Sequence, residues 1–164
     1  MLRENKGITM ISLVVTIIVL LILATVGVNT GMASVKSSRY YEAVHEMKVM
    51  QSEVNKWNEN MKNGDETEWN KGELITSTAR EQDCLKAYNI ANSKNISDSN
   101  VGSFDGYRYF SKDCIKENLD IEGISYDFIV NVESRYVILV DGVEFDGVTY
   151  YSLGEIEDEQ YNIN

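Results

Sequence analysis

The sequence predicts an α+β protein: one long N-terminal helix packed on a C-terminal antiparallel sheet, with short helices between them. Three observations carry this expectation. Residues 8–28 contain no charged side chain and are mostly apolar. Residues 36–61 then space their apolar side chains by three and four, the period of a helix face. Beyond residue 125, apolar residues alternate or run together around two Asp-Gly pairs, the pattern of strands and tight turns.

The first segment sets the frame for the rest. At about 1.5 Å per residue, a helix over 8–28 reaches roughly 30 Å, the thickness of a bilayer's hydrocarbon core. It is preceded by the short stretch MLRENKG, which carries Arg3 and Lys6 and ends in Gly7. A secretory signal peptide has a shorter apolar region and a cut site after it beside small residues; Ala24 and Ala33 make a poor match. The basic residues before the run and the acidic remainder place the N-terminus in the cytoplasm and the globular part outside the cell.

The arrangement K-G followed at once by I-T-M-I-S-L-V-V-T-I-I-V-L-L-I-L-A resembles the class III signal of type IV pilins and type II secretion pseudopilins. The resemblance implies a leader over 1–7, removed by prepilin peptidase between Gly7 and Ile8, and N-methylation of Ile8. It also implies a membrane helix over 8–28 that becomes the core of a filament. Implied partners are other pilin subunits, the prepilin peptidase, a membrane platform protein, an assembly ATPase and membrane lipid. No cofactor is implied. The family usually has a glutamate five residues into the mature chain, to pair with the N-terminal amine of a neighbouring subunit; Ser12 stands there. A charge left unpaired in the filament is costly. The chain is then a minor or tip subunit, or hydroxyls meet the amine. Thr9, Ser12 and Thr16 fall on one helix face and could do so, or could simply bond to carbonyls one turn earlier.

Gly27 and Gly31 form a G-x-x-x-G pair near the outer end of the membrane segment, a spacing that lets helices approach closely. Over 29–61 the helix is expected to continue as an amphipathic rod. Tyr40, Ala43, Met47, Met50, Val54, Trp57 and Met61 form its buried stripe, and Glu42, Glu46, Lys48, Glu53, Lys56 and Glu59 its solvated side. The same spacing would serve a coiled-coil seam, but the stretch is short and the bulky Trp57 favours packing on a sheet. Asn63-Gly64-Asp65 should end the helix.

Residues 62–122 read as a region of loops and short helices. Thr78 with Glu81 suggests a capping box opening a helix to about Ala91, and Ser111 an N-cap for a helix through Leu119. Tyr107, Tyr109 and Phe110 alternate like a short strand. These elements would set Cys84 and Cys114 on two small helices between the long helix and the sheet. Outside the cell the pair could form a disulfide worth about 3 kcal/mol for a loop of about 30 residues, or remain two buried thiols. Asp98, Asn100 and Asp105 sit in a polar loop without EF-hand spacing, so an ordinary surface loop is favoured over a calcium site. Two cysteines and a distant His45 do not make a zinc site, and no metal is expected.

The sheet is expected over 123–154, with strands over 125–132, 136–140 and 148–153, and an acidic tail over 155–164. Asp141-Gly142 and Asp146-Gly147 are both tight-turn dipeptides, but they stand too close together for both to be hairpins between long strands. The stretch from Phe128 to Leu153 looks like the sheet of pilin-like proteins from Gram-positive bacteria.

Composition narrows the function. A formal net charge of −11, made still more negative by loss of the leader, repels phosphate and argues against direct nucleic-acid binding. The single histidine, His45, falls on the solvated side of the expected rod with no nucleophile or carboxylate motif beside it, so no enzyme is expected. The tyrosines could furnish an adhesive surface, but they are also good sheet residues. The expected function is a structural pilin or pseudopilin in a surface filament. The alternative is an uncleaved single-pass membrane protein with an extracellular binding or adhesion domain.

Overall fold

The computed structural model describes residues 10–92, 104 and 106–161. Their order is a long helix α1 (Met10–Lys62), strand β1 (Glu73–Leu74), helix α2 (Glu81–Ala91), strand β2 (Arg108–Phe110) and helix α3 (Lys112–Asn118). Strands β3 (Phe128–Asn131), β4 (Tyr136–Leu139), β5 (Val143–Phe145) and β6 (Val148–Tyr150) follow, and helix α4 (Leu153–Tyr161) closes the chain. The class is α+β, with helix dominating the N-terminal half and antiparallel sheet the C-terminal part. The chain divides into two compact units, residues 1–38 and 39–164, each described by itself.

α1 ends where the turn residues stand. Gly64 has φ 82°, and its N–H donates to Met61 O at 2.9 Å while Asp65 N donates to Asn60 O at 3.0 Å. This is the paired closure of a helix C-terminus by a left-handed glycine, which satisfies carbonyls that would otherwise lack partners.

In the second unit β1, β2, β3 and β4 form one antiparallel sheet in that order. Its register puts Phe110, Phe128 and Leu139 side by side on one face, and Tyr109, Ile129 and Ile138 on the other. The first face, with Val130 and Val137, packs on Tyr40, Ala43, Met47, Met50, Val54 and Trp57 of α1. The second packs on Cys84, Leu85, Ala87 and Tyr88 of α2. The head is therefore three layers, helix on sheet on helix, and α2 lies on the far side of the sheet rather than between α1 and the sheet. Covering both faces explains why β3 is buried at all four positions, where one-sided packing would have left alternate residues solvated.

Several boundaries move for local reasons. Thr78 does not cap α2: its Oγ1 accepts from Arg80 N at 3.2 Å in a turn of its own, and the helix starts at Glu81. Ser111 does cap α3, accepting from Cys114 N at 3.1 Å. Asp146-Gly147 is the hairpin turn, with φ 49° and 83° at the two residues joining β5 and β6, the doubly left-handed turn that fits strand twist. Asp141-Gly142 is instead a bend between β4 and β5, where Gly142 N reaches Leu139 O at 3.3 Å.

The segment expected as an acidic tail is a helix through Tyr161. Ser152 and Glu155 form a reciprocal cap: Glu155 Oε2 accepts from Ser152 N at 2.9 Å, and Ser152 Oγ accepts from Glu155 N at 3.5 Å. Ile156 then seals α4 onto the α1-facing core. Ser152→Ala is expected to cost about 1 kcal/mol, the usual loss for an N-cap, and to raise amide exchange in α4 before the rest of the head.

Candidate functional site

The first candidate is the apolar part of α1. From Leu13 to Leu23 the large apolar residues at successive positions are all exposed, Val19 at 48% being the least, and Met10 reaches 85%. Successive residues of a helix point about 100° apart, so this exposure runs around its whole circumference. Two of its hydroxyls turn inward: Thr16 Oγ1 donates to Leu13 O and Thr25 Oγ1 to Leu21 O, each at 2.8 Å. Back-bonding of this kind leaves no polar hydrogen for solvent and suits an apolar surrounding. Thr16 thus takes the carbonyl of the preceding turn, and Ser12 is exposed on the same segment.

Gly7, Ile8 and Thr9 lie outside the described residues. Gly27 and Gly31 are within α1, but their surroundings lie outside the described residues, as do Asp98, Asn100 and Asp105. Among the described residues no helix is long and apolar enough to cross a membrane. The uncharged run over 8–28 extends beyond the described side chains at both ends.

The head contributes a polar cluster that sequence reasoning did not single out. Asp127, just before β3, accepts from Arg80 Nη1 at 2.6 Å and Tyr109 Oη at 2.8 Å through Oδ2, and from Lys112 N at 2.8 Å through Oδ1. Arg80 also pairs with Asp141 and, at 3.3 Å, with Asp83. One carboxylate and one guanidinium thus join the start of α2, β2, the start of α3 and the bend after β4. Burial pushes the Asp127 carboxyl up, but the Lys112 N–H, the Tyr109 hydroxyl and Arg80 together outweigh it and hold the group below its ordinary 3.8. Hydrogen bonds that Arg80 donates, those to Asp141 foremost, outweigh burial and hold its proton more firmly than usual. Every member is satisfied within the fold, which makes the cluster a fastening.

Cys84 and Cys114, read from the sequence as either a disulfide or two thiols, are free thiols. The physical reason is the layering: Cys84 is buried in the α2 side of the sheet, and Cys114 packs at the edge of the α1 side. Burial pushes the Cys84 thiol up to about 12, which suppresses the reactive thiolate. Under native conditions a thiol reagent should label Cys114 promptly and Cys84 only on unfolding; equal labelling of both would contradict this layering.

His45 is exposed, as expected, and among the described residues no group of acidic, His or Cys side chains could hold a metal. A groove of about 380 Å³ lies between the end of α1 and the β3–β4 turn, lined by Asn58, Met61, Lys62, Glu133 and Arg135. Asn58 and Arg135 tie its walls together at 3.1 Å, and the lining contains no Ser, Thr, Cys or His. The tyrosines are used mainly inside: Tyr40, Tyr88, Tyr109, Tyr150 and Tyr151 are buried, while Tyr41 is exposed. No protein-family model, curated protein or solved structure matches this chain.

Proposed function

We propose that this chain is a structural, non-enzymatic subunit, a pilin or pseudopilin, of a type IV pilus or type II secretion-like filament. Prepilin peptidase cuts it after Gly7, and Ile8 becomes the methylated N-terminus. It waits in the cell membrane with its N-terminus in the cytoplasm and its head outside, and it then joins a surface filament through the platform protein and assembly ATPase.

The observation that supports this best is the apolar surface around the whole first part of α1, directly after the K-G junction. Burying one such Leu, Ile or Val is worth about 1.5–3 kcal/mol, so together they favour a covered state by on the order of 20 kcal/mol. Lipid provides that cover first. Leaving lipid then requires an equally apolar surround, which like helices provide through close packing. The absence of the usual glutamate at Ser12 suits a minor component, because an abundant subunit would face the unpaired amine at every contact.

The test is to shear filaments from cells that make the full chain, with and without prepilin peptidase. The subunit should appear in the sheared fraction only when the peptidase is present. Ile18→Lys, a mid-span charge costing about 2.5–3.5 kcal/mol, should cut its membrane retention sharply. A chain that stays in the membrane fraction in both strains would instead support a single-pass protein with an extracellular binding domain.

A further inference from the structure

Glu46 stands where a carboxylate is costly. Expected on the solvated side of α1, it instead lies on the face that meets the core and is 1% exposed. Its Oε2 accepts from Ser125 N at 2.8 Å and Tyr126 N at 3.3 Å, while its Oε1 is buried without a hydrogen-bond partner. An ionised carboxylate in this setting has lost the hydration of one oxygen with no replacement. A proton on that oxygen removes the charge and most of the penalty.

The groups around it reinforce the point. Glu42, one turn earlier on α1, adds repulsion of like sign. Tyr126 faces Glu46 from the connection as a neutral phenol: burial first, then Glu42, Glu46 and Asp141, push it up, and Arg39 opposes them. Burial first, then Glu42, push the Glu46 carboxyl up, and the Ser125 and Tyr126 N–H groups together with the Ser125 hydroxyl only partly offset them, leaving it above its ordinary 4.5.

What Glu46 holds has little regular structure of its own. Between α3 and β3, residues 119–127 contain neither helix nor strand, and Asp120 and Gly123 have φ 54° and 77°. Ile121 N reaches Ile115 O at 3.2 Å, Ile121 and Ile124 are only partly buried against the core, and Asp127 fastens the far end.

We propose that the connection between α3 and β3 is a proton-linked latch on α1, closed when Glu46 Oε1 carries a proton and loosened when that proton passes to solvent. Opening admits water to Oε1 and frees the Ser125 and Tyr126 N–H groups, while β3 stays paired. Mild acid therefore tightens this side of the head.

The test is amide hydrogen exchange on the full chain in detergent micelles over about pH 4 to 7, expressed as protection so that intrinsic rates cancel. In the wild type, protection at Ser125 and Tyr126 should fall as pH rises from the ordinary 4.5 through the native Glu46 midpoint, by at most about tenfold per pH unit, and level off above it, while Ile129 keeps its protection. In Glu46→Gln the same amides should show no such pH dependence. The same dependence in Glu46→Gln, none in the wild type, or a loss shared by Ile129 would each overturn the latch. Because the variant could fail to fold, the wild-type carboxyl carbons supply a second reading. Glu46 should titrate above the ordinary glutamate value of 4.5, and a midpoint at or below that value would also overturn it.

Discussion

Trp57→Ala is expected to destabilise the head by about 3–5 kcal/mol, the range for removing a large aromatic side chain from a packed core. Trp57 is almost fully buried on the sheet-facing side of α1, with its ring 5.3 Å from that of Phe110. Phe110 in turn lies 6.1 Å from Trp69, over which Arg108 sits at 5.2 Å. Removing Trp57 therefore opens a cavity where helix, sheet and the connection after α1 meet. Denaturation followed by circular dichroism on the full chain measures the loss. His45→Ala, exposed on the same helix, should stay within about 0.5 kcal/mol of the wild type. Equal stabilities for the two variants would mean that α1 does not form the floor of the head.

Asp127→Ala is the second large effect, about 2–4 kcal/mol at neutral pH. It leaves the buried Tyr109 hydroxyl and the Lys112 N–H without their acceptor, and Arg80 with one carboxylate fewer. The pair is partly open to water on the arginine side, which keeps the figure below that of a fully buried ion pair. The variant also changes the response to acid. Because the native Asp127 carboxyl lies below its ordinary 3.8, its stabilisation is present above that value and lost as pH falls through the native one. Asp127→Ala should flatten that part of the acid-unfolding curve.

Glu46 contributes with the opposite sign. Its native carboxyl lies above its ordinary 4.5, so its contribution is complete below that value and lost as pH rises through the native one. Stability measured against pH in wild type, Asp127→Ala and Glu46→Gln separates the two slopes.

Much of the head was legible because burial on α1 follows helical period. Tyr40, Ala43, Met47, Met50, Val54 and Trp57 are all buried, and the turn residues after Lys62 close the helix. The same period contained a signal that was overlooked: Glu46 is three residues after Ala43 and four before Met50, so it shares their face. Ser152-Leu153-Gly154-Glu155 likewise carries the capping-box spacing, obscured by the low hydrophobicity of residues 157–164.

The layering was not legible. The alternating Tyr126, Phe128, Val130 and Val132 fill the α1 side, while the intervening Ile129 and part of the run over 136–140 needed a second helix to cover them. Nothing local in α2 tells which face of the sheet it will take, so the separation of Cys84 from Cys114 had no signature in their spacing. Asp127, Arg80 and Asp141 are far apart in the chain, and their meeting depends on that same layering.

The central claim is that the chain enters a filament after losing its leader, and the N-terminus reports this most directly. Intact mass and N-terminal sequence of the protein from its native membrane should show a chain beginning at N-methylated Ile8 wherever prepilin peptidase is active, and at Met1 where it is deleted. A chain that begins at Met1 in both strains would contradict the filament reading.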